Sequence, residues 1–168
     1  LSLLESKLGL KEDINKPVDN LETENFIQHY LKEIDRYRFK HILTRDVAYS
    51  TILKSNKKIL HRAVAEVIEE NFKHIIEKFY FDLAVHYDTC KNTEKALFYL
   101  EKSTISYNNI LDRESELKCY SRIIEIIKEN NLEYDIKYFD AQCKIADIHN
   151  YLGDTKSSIS ILKDLLND

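Results

Sequence analysis

The chain has 168 residues, 43% of them hydrophobic and 32% charged, with a formal net charge of −4. Two glycines and one proline are too few for a phosphate-binding loop, a dinucleotide fingerprint or a nucleophile elbow, each of which spends glycine on positive φ or close backbone approach. The acidic balance argues against wholesale nucleic-acid binding, and neither a bilayer-length apolar run nor a signal-peptide pattern is present. The composition reads as helical, soluble and cytoplasmic. A start on Leu1 without any methionine reads as a piece of a longer protein. Cys90, Cys119 and Cys143 form no C-x-x-C pair and read as reduced, buried thiols. The six histidines are scattered without metal-ligand spacing, so no metal site is expected.

Leu3, Leu4 and Leu8 lie at helical spacing, and the pattern breaks at Gly9. Residues 11–20 read as a polar connection holding Pro17. Alternation then takes over: Ile27, His29 and Leu31, and after residues 33–36 Tyr37, Phe39 and His41, read as a β-hairpin over about 26–41. From there the helical period runs to the end. Thr44 is a candidate cap for a helix to about residue 54, with Val47, Ala48 and Ile52 on its apolar side. Ser55 is a candidate cap for the next, where Ile59, Leu60, Val64, Val67 and Ile68 form one stripe. Further amphipathic helices are expected over about 74–89, 94–111, 114–129, 134–152 and 156–166, with short turns that make neighbours antiparallel. Between Lys32 and Arg62 nine basic residues stand against three acidic ones, a local excess of six positive charges. Such a segment is either a solvated surface or a basic face for phosphate or an acidic neighbour.

One internal offset stands out. Tyr80, Leu83, Ala84, Tyr87, Ala96, Leu100 and Ser103 recur 62 residues later as Gln142, Ile145, Ala146, His149, Ser158, Leu162 and Leu165. Small residues at matching places would let two antiparallel helices approach closely. The pattern resembles the tetratricopeptide repeat, whose helical hairpins stack into a surface for peptides or partner domains. That resemblance implies about three hairpins, with a degenerate one built from residues 99–111 and 114–127. It also implies a groove on the first helices, offering Phe81, Val85 and Asp88 in one copy and Asp147, Asn150 and Tyr151 in the other. Mixed apolar and acidic lining would suit a peptide with basic and hydrophobic side chains.

The run from Tyr37 to Tyr49, with Phe39, His41, Arg45, Asp46, Val47 and Ala48, continues through Leu60-His61 and Val64-Ala65 to Ile68-Glu69. It resembles the C-terminal winged-helix and tetratricopeptide-repeat region of STAND-type signalling ATPases, including those associated with adenylate and guanylate cyclases. There the motif leaves the wing of a winged-helix-like module, enters a helix and precedes helical repeats. The same strand-to-helix step is similar to the Met-His-Asp motif of plant disease-resistance ATPases, whose histidine sits near the β-phosphate of bound ADP. By that resemblance His41, with Arg45, is the candidate nucleotide sensor in a parent protein, and adenine nucleotide is the implied cofactor of the parent rather than of this chain. His61, beside Leu60, reads as a packing residue between helices.

The resulting expectation is an all-α chain: a partial winged-helix-like module over residues 1–54, then tetratricopeptide-like repeats over 55–168. Its function would be regulation and protein interaction within a larger signalling NTPase, without catalytic residues, and its partner a protein, a peptide or a neighbouring domain. The alternative is a nucleic-acid-binding winged helix using the basic segment, with a helical oligomerisation region. The mostly apolar helix after Thr44 argues against that alternative, because a reader needs exposed polar side chains on its recognition helix.

Overall fold

Where the chain turns back on itself, the same local chemistry recurs. In the computed structural model, which describes residues 2–9, 14–31, 36–131 and 136–167, Lys91, Leu111 and Gly153 each adopt positive φ, at 61°, 60° and 85°. The amide of the next residue then donates to a carbonyl five residues back: Asn92 to Tyr87, Asp112 to Tyr107 and Asp154 to His149, at 2.9, 3.0 and 2.8 Å. This is the Schellman ending, and it satisfies carbonyls that the last helical turn leaves open. The residue that ends one helix this way also starts the next. Asn92, Asp112 and Asp154 accept through their side chains from the amides of Lys95, Ser115 and Ser157, which caps the following N-terminus. Hydrogen bonds from Ser115 and Ser157 hold the Asp112 and Asp154 carboxyls below their ordinary range.

Helices hold 81% of the described residues, and the described β-structure is one two-stranded antiparallel sheet. The chain divides into two compact units, residues 1–73 and 74–168. The first contains α1 (Ser2–Leu8), α2 (Asn15–Thr23), β1 (Ile27–Leu31), β2 (Arg36–Phe39), α3 (Ile42–Thr51) and α4 (Lys54–Asn71). Within this unit α1 packs on α4. Lys7 reaches Glu70 at 2.6 Å and Glu66 at 3.4 Å. The stretch read as a polar connection holds α2. Pro17 fits there because its missing N–H falls in the first turn, where amides have no intrahelical partner. The hairpin pairs Ile27 with Phe39, Gln28 with Arg38 and His29 with Tyr37, and the tetrapeptide expected to turn it lies partly outside the described residues. The next helix starts at Ile42, two residues before the expected Thr44, with His41 as its extended cap position. It buries none of its residues; Val47, expected on an apolar packing side, is 65% exposed.

The second unit opens on a 3-10 stretch, Lys73–Phe79, where a single helix from residue 74 was expected. Ile75 leaves helical geometry there (φ −134°, ψ 20°). Then come α5 (Tyr80–Thr89), α6 (Thr93–Asn109), α7 (Arg113–Glu129), α8 (Ile136–Tyr151) and α9 (Thr155–Asn167), each packed on the next. The four small positions of the 62-residue offset, Ala84, Ala96, Ala146 and Ser158, are all buried, at the α5–α6 and α8–α9 contacts. Three hairpins were expected, yet residues 99–109 belong to the α6 already paired with α5. A single helix, α7, therefore lies between the two hairpins. Tyr87 and Tyr99 stack at 5.9 Å with planes 6° apart, and Lys95 covers Tyr87 at 4.7 Å while donating to its hydroxyl. Cys90 and Cys119 are buried as expected, and burial pushes the Cys119 thiol up to about 12. Cys143 is exposed. No described helix is long and apolar enough to cross a membrane.

The turns make a stability prediction of opposite sign at two sites. Leu111 holds positive φ with a side chain 63% exposed, a conformation that costs an L-residue roughly 1 kcal/mol. Leu111→Gly should raise unfolding stability by up to about 1 kcal/mol, and Gly153→Ala should lower it by about 1 kcal/mol. No atom crowds a Cβ at Gly153, so the second effect is purely backbone. Urea denaturation of the two variants checks both signs.

Candidate functional site

Two surfaces carry chemistry, one in each unit. On the hairpin of the first unit, Arg38, Lys40 and Arg45 line an open depression of about 730 Å³ together with Phe39 and Ile42. The antiparallel register sets Arg38 opposite Gln28, whose amide oxygen, turned inward, accepts from its Nε and Nη2 at 2.7 Å. The same guanidinium stacks on Tyr30 at 4.9 Å. Lys40 donates to the Asn25 side chain. Arg45 gives both Nε and Nη2 to Asp46 Oδ1, at 2.9 and 2.7 Å, so its charge is largely met by its neighbour. His41 is exposed and accepts the Arg45 amide through its backbone oxygen at 3.2 Å. Its side chain makes no capping hydrogen bond and does not line the depression. The structure thus places Arg45 in the basic surface and His41 beside it.

In the second unit a trough of about 460 Å³ runs between α6, α7 and α8. Ile105 and Asn108 come from α6, Arg113 and Glu116 from the first turn of α7, and Lys144, Asp147 and Tyr151 from α8. Arg113 Nη1 donates to Asn108 Oδ1 and, at 2.5 Å, to Glu116 Oε2. Glu116 is only 5% exposed, so this pair is what allows its charge to stay buried. The Tyr151 ring lies against the guanidinium at 5.0 Å. Arg113 Nε is closed off from solvent and has no acceptor, a condition that normally costs about 1–3 kcal/mol.

Of the six groove residues read from the sequence, this trough gathers Asp147 and Tyr151. Asn150 is exposed but lines no part of it. Phe81 and Val85 are exposed on α5, with Phe81 edge-on to Tyr107 at 6.2 Å. Asp88 is spent on structure. Arg122 Nε and Nη2 grip its two carboxylate oxygens at 2.8 and 3.0 Å, while Arg122 Nη1 reaches Glu125 and Glu129 at 2.6 and 2.9 Å. That network ties α7 to α5 and holds the arginine proton even more firmly than usual. Arg113 and Glu116 were not singled out from the sequence. Their signal was available: Glu116 opens the stripe Cys119, Ile123, Ile126 and Ile127, and a carboxylate on an apolar stripe needs a partner. Among the described residues no group of three or more His, Cys, Asp or Glu converges as metal ligands would.

His61 behaves as the packing residue it resembled. Its Nε2 is 2.9 Å from the Tyr49 hydroxyl, joining α3 to α4, and Lys57 stands over the same Tyr49 ring at 4.1 Å. Burial first, and Lys57 second, push its pKa below the ordinary 6.5. The unfolded chain then binds a proton more readily than the folded one, so stability falls as pH drops below about 6.5 and levels off below the folded value. His61→Gln should flatten that part of the stability profile, as measured by urea midpoints from pH 7.5 to pH 5; an unaltered slope contradicts this assignment.

Comparison with known protein families, with curated proteins and with solved structures finds no match.

Proposed function

We propose that this chain is a non-catalytic regulatory and protein-interaction region of a larger, cytoplasmic signalling NTPase of the STAND type. In this reading the hairpin and α3 are the end of a winged-helix-like module, and α5–α9 are a degenerate tetratricopeptide-like array. The array holds a protein segment or a neighbouring domain, and nucleotide state is felt near His41 and Arg45. The observation that carries the proposal is the open trough on a regular run of antiparallel helices, with cations and anions in balance along its walls. The Phe39-to-Tyr49 motif supports the family reading, and the basic depression beside His41 supports phosphate proximity.

A second reading, nucleic-acid binding, is favoured by one observation. Arg38, Lys40 and Arg45 share a depression with Phe39, and cations beside aromatic side chains suit single strands. The two readings separate by experiment. In the full-length NTPase, His41→Ala should speed ADP dissociation several-fold and raise basal output; an unchanged dissociation rate contradicts the sensor role. A photo-crosslinking residue in place of Tyr151 should join one defined protein segment, and one in place of the exposed Ile136 should join none. Indiscriminate crosslinking at both contradicts the interaction role. Salt-dependent binding of a labelled oligonucleotide, tighter than the roughly 100 µM of non-specific contacts, would favour the second reading.

A further inference from the structure

We infer that the outward face of α9 seats an amphipathic helix of a partner protein, antiparallel to α9 and carrying carboxylates along one edge of its apolar stripe. The inference goes beyond the trough: it concerns a different face of the second unit and stands whether or not the trough binds a peptide.

On α6, the corresponding face is already covered by a helix. Thr93, at the start of α6, donates to the Asn130 side chain at 3.3 Å. Further along, Thr104 lies beside Tyr120 in the trough, and Asn108 accepts from Arg113. These three residues share one stripe of α6 at steps of three and four, with Leu97 and Leu100 between them. With α7 packed on that side, Leu97, Leu100 and Thr104 are 7, 3 and 4% exposed. The 62-residue offset carries the stripe onto α9 as Thr155, Ile159, Leu162 and Leu166. There α9 packs on α8 through Ser158, and Ile159, Leu162 and Leu166 are 47, 42 and 86% exposed. The stripe that α7 covers on one hairpin is open on the other. Leu166 stands where the covered copy has a threonine, so the open stripe is also the more apolar of the two. Aliphatic side chains at this spacing present ridges that fit a second helix.

Charge decides which helix. Lys156 and Lys163, seven residues apart, border the stripe on the side away from Ser158. Both are exposed and in no ion pair among the described residues. In the covered copy the same positions are Glu94 and Glu101, and Glu101 pairs with Lys137 at 2.6 Å. The sign is inverted on α9, so its complement is a carboxylate. Asp164 lies about 100° further round the helix and does not border the stripe. A second copy of this chain makes a poor occupant. Two α9 helices packed antiparallel would bring these lysines edge to edge.

The test uses the 168-residue chain and a fluorescein-labelled peptide made of three repeats of Leu-Ala-Gln-Leu-Glu-Gln-Ala. Its counterpart carries Lys in place of each Glu. Fluorescence anisotropy at low salt should show the Glu peptide binding about ten-fold more tightly, the scale of two exposed ion pairs turned from attraction to repulsion. Lys156→Glu combined with Lys163→Glu should reverse that order. Ile159→Ser combined with Leu166→Ser should abolish binding of both peptides and leave the melting temperature little changed, because both side chains are already exposed. Equal affinity for the two peptides, or an order that the lysine reversal leaves as it was, overturns the acidic occupant. Binding that survives the loss of Ile159 and Leu166 overturns the seat on α9, as does no binding at millimolar concentration. A chain that sediments as a dimer until Leu166→Glu makes it monomeric would show that a second copy is the occupant instead.

Discussion

The amide donated across each turn to a carbonyl five residues back is the constraint on which the second unit depends. It forces the residue before it to positive φ, and so the chain leaves each helix in a fixed direction. The side chain of the donating residue then caps the next helix, so one residue both stops and starts an element. With Asn92, Asp112 and Asp154 all acting this way, α5–α6, α6–α7 and α8–α9 meet through one repeated geometry. The middle turn also sets the chemistry of the trough. Asn108 lies just before it and Arg113 just after, which is why an amide from α6 and a guanidinium from α7 can share a hydrogen bond. The positive N-terminal end of α7 favours Glu116 in its first turn. The buried ion pair is therefore a consequence of where the turn falls.

The helical course of the second unit was legible because its apolar stripes keep strict period. Leu83, Ala84 and Tyr87 are buried as their spacing requires; on α7 the stripe expected at Leu117, Tyr120, Ile123, Ile124 and Ile127 is buried only at Ile123 and Ile127, and Cys119 and Ile126 complete the buried side. What misled lay elsewhere. The turn at Leu111, which carries no glycine, falls where the helix periods 94–111 and 114–129 put it; it is the 62-residue offset, with its demand for a unit between the two copies, that made residues 99–111 read as the start of another hairpin. Pro17 suggested a break where it instead opens α2. The repeat offset offered Asp147 and Tyr151, which line the trough, together with Phe81, Val85 and Asp88 on α5, which do not. It could not register Arg122, a residue on a different helix that takes both oxygens of Asp88. Spacing reports which side of a helix a residue shares; it does not report which charge on another helix will reach it.

The first unit obeys a different balance. Its helix α3 carries Ile42, Leu43 and Val47 at 63, 75 and 65% exposure, and three nearby basic residues are engaged locally: Arg38 with Gln28 and Tyr30, Lys40 with Asn25, Arg45 with Asp46. Local pairing of this kind holds cations in place without burying them and leaves their outward donors for an anion. His61 and Tyr49 are the polar joint between α3 and α4. A proton on His61 opposes burial near Lys57, so that joint is strongest when the imidazole is neutral.

If the repeated turn organises the array, its three amides should be as hard to open as the helices they join. Native-state hydrogen exchange of Asn92, Asp112 and Asp154 measures this residue by residue. The account predicts protection within roughly an order of magnitude of the buried helical amides of Leu100 and Ile123, because opening a turn requires separating the packed helices on either side. Exchange of the three amides at the rate of unprotected surface loops, with Leu100 and Ile123 still protected, would show that helix packing holds the array without the turns and would contradict the account.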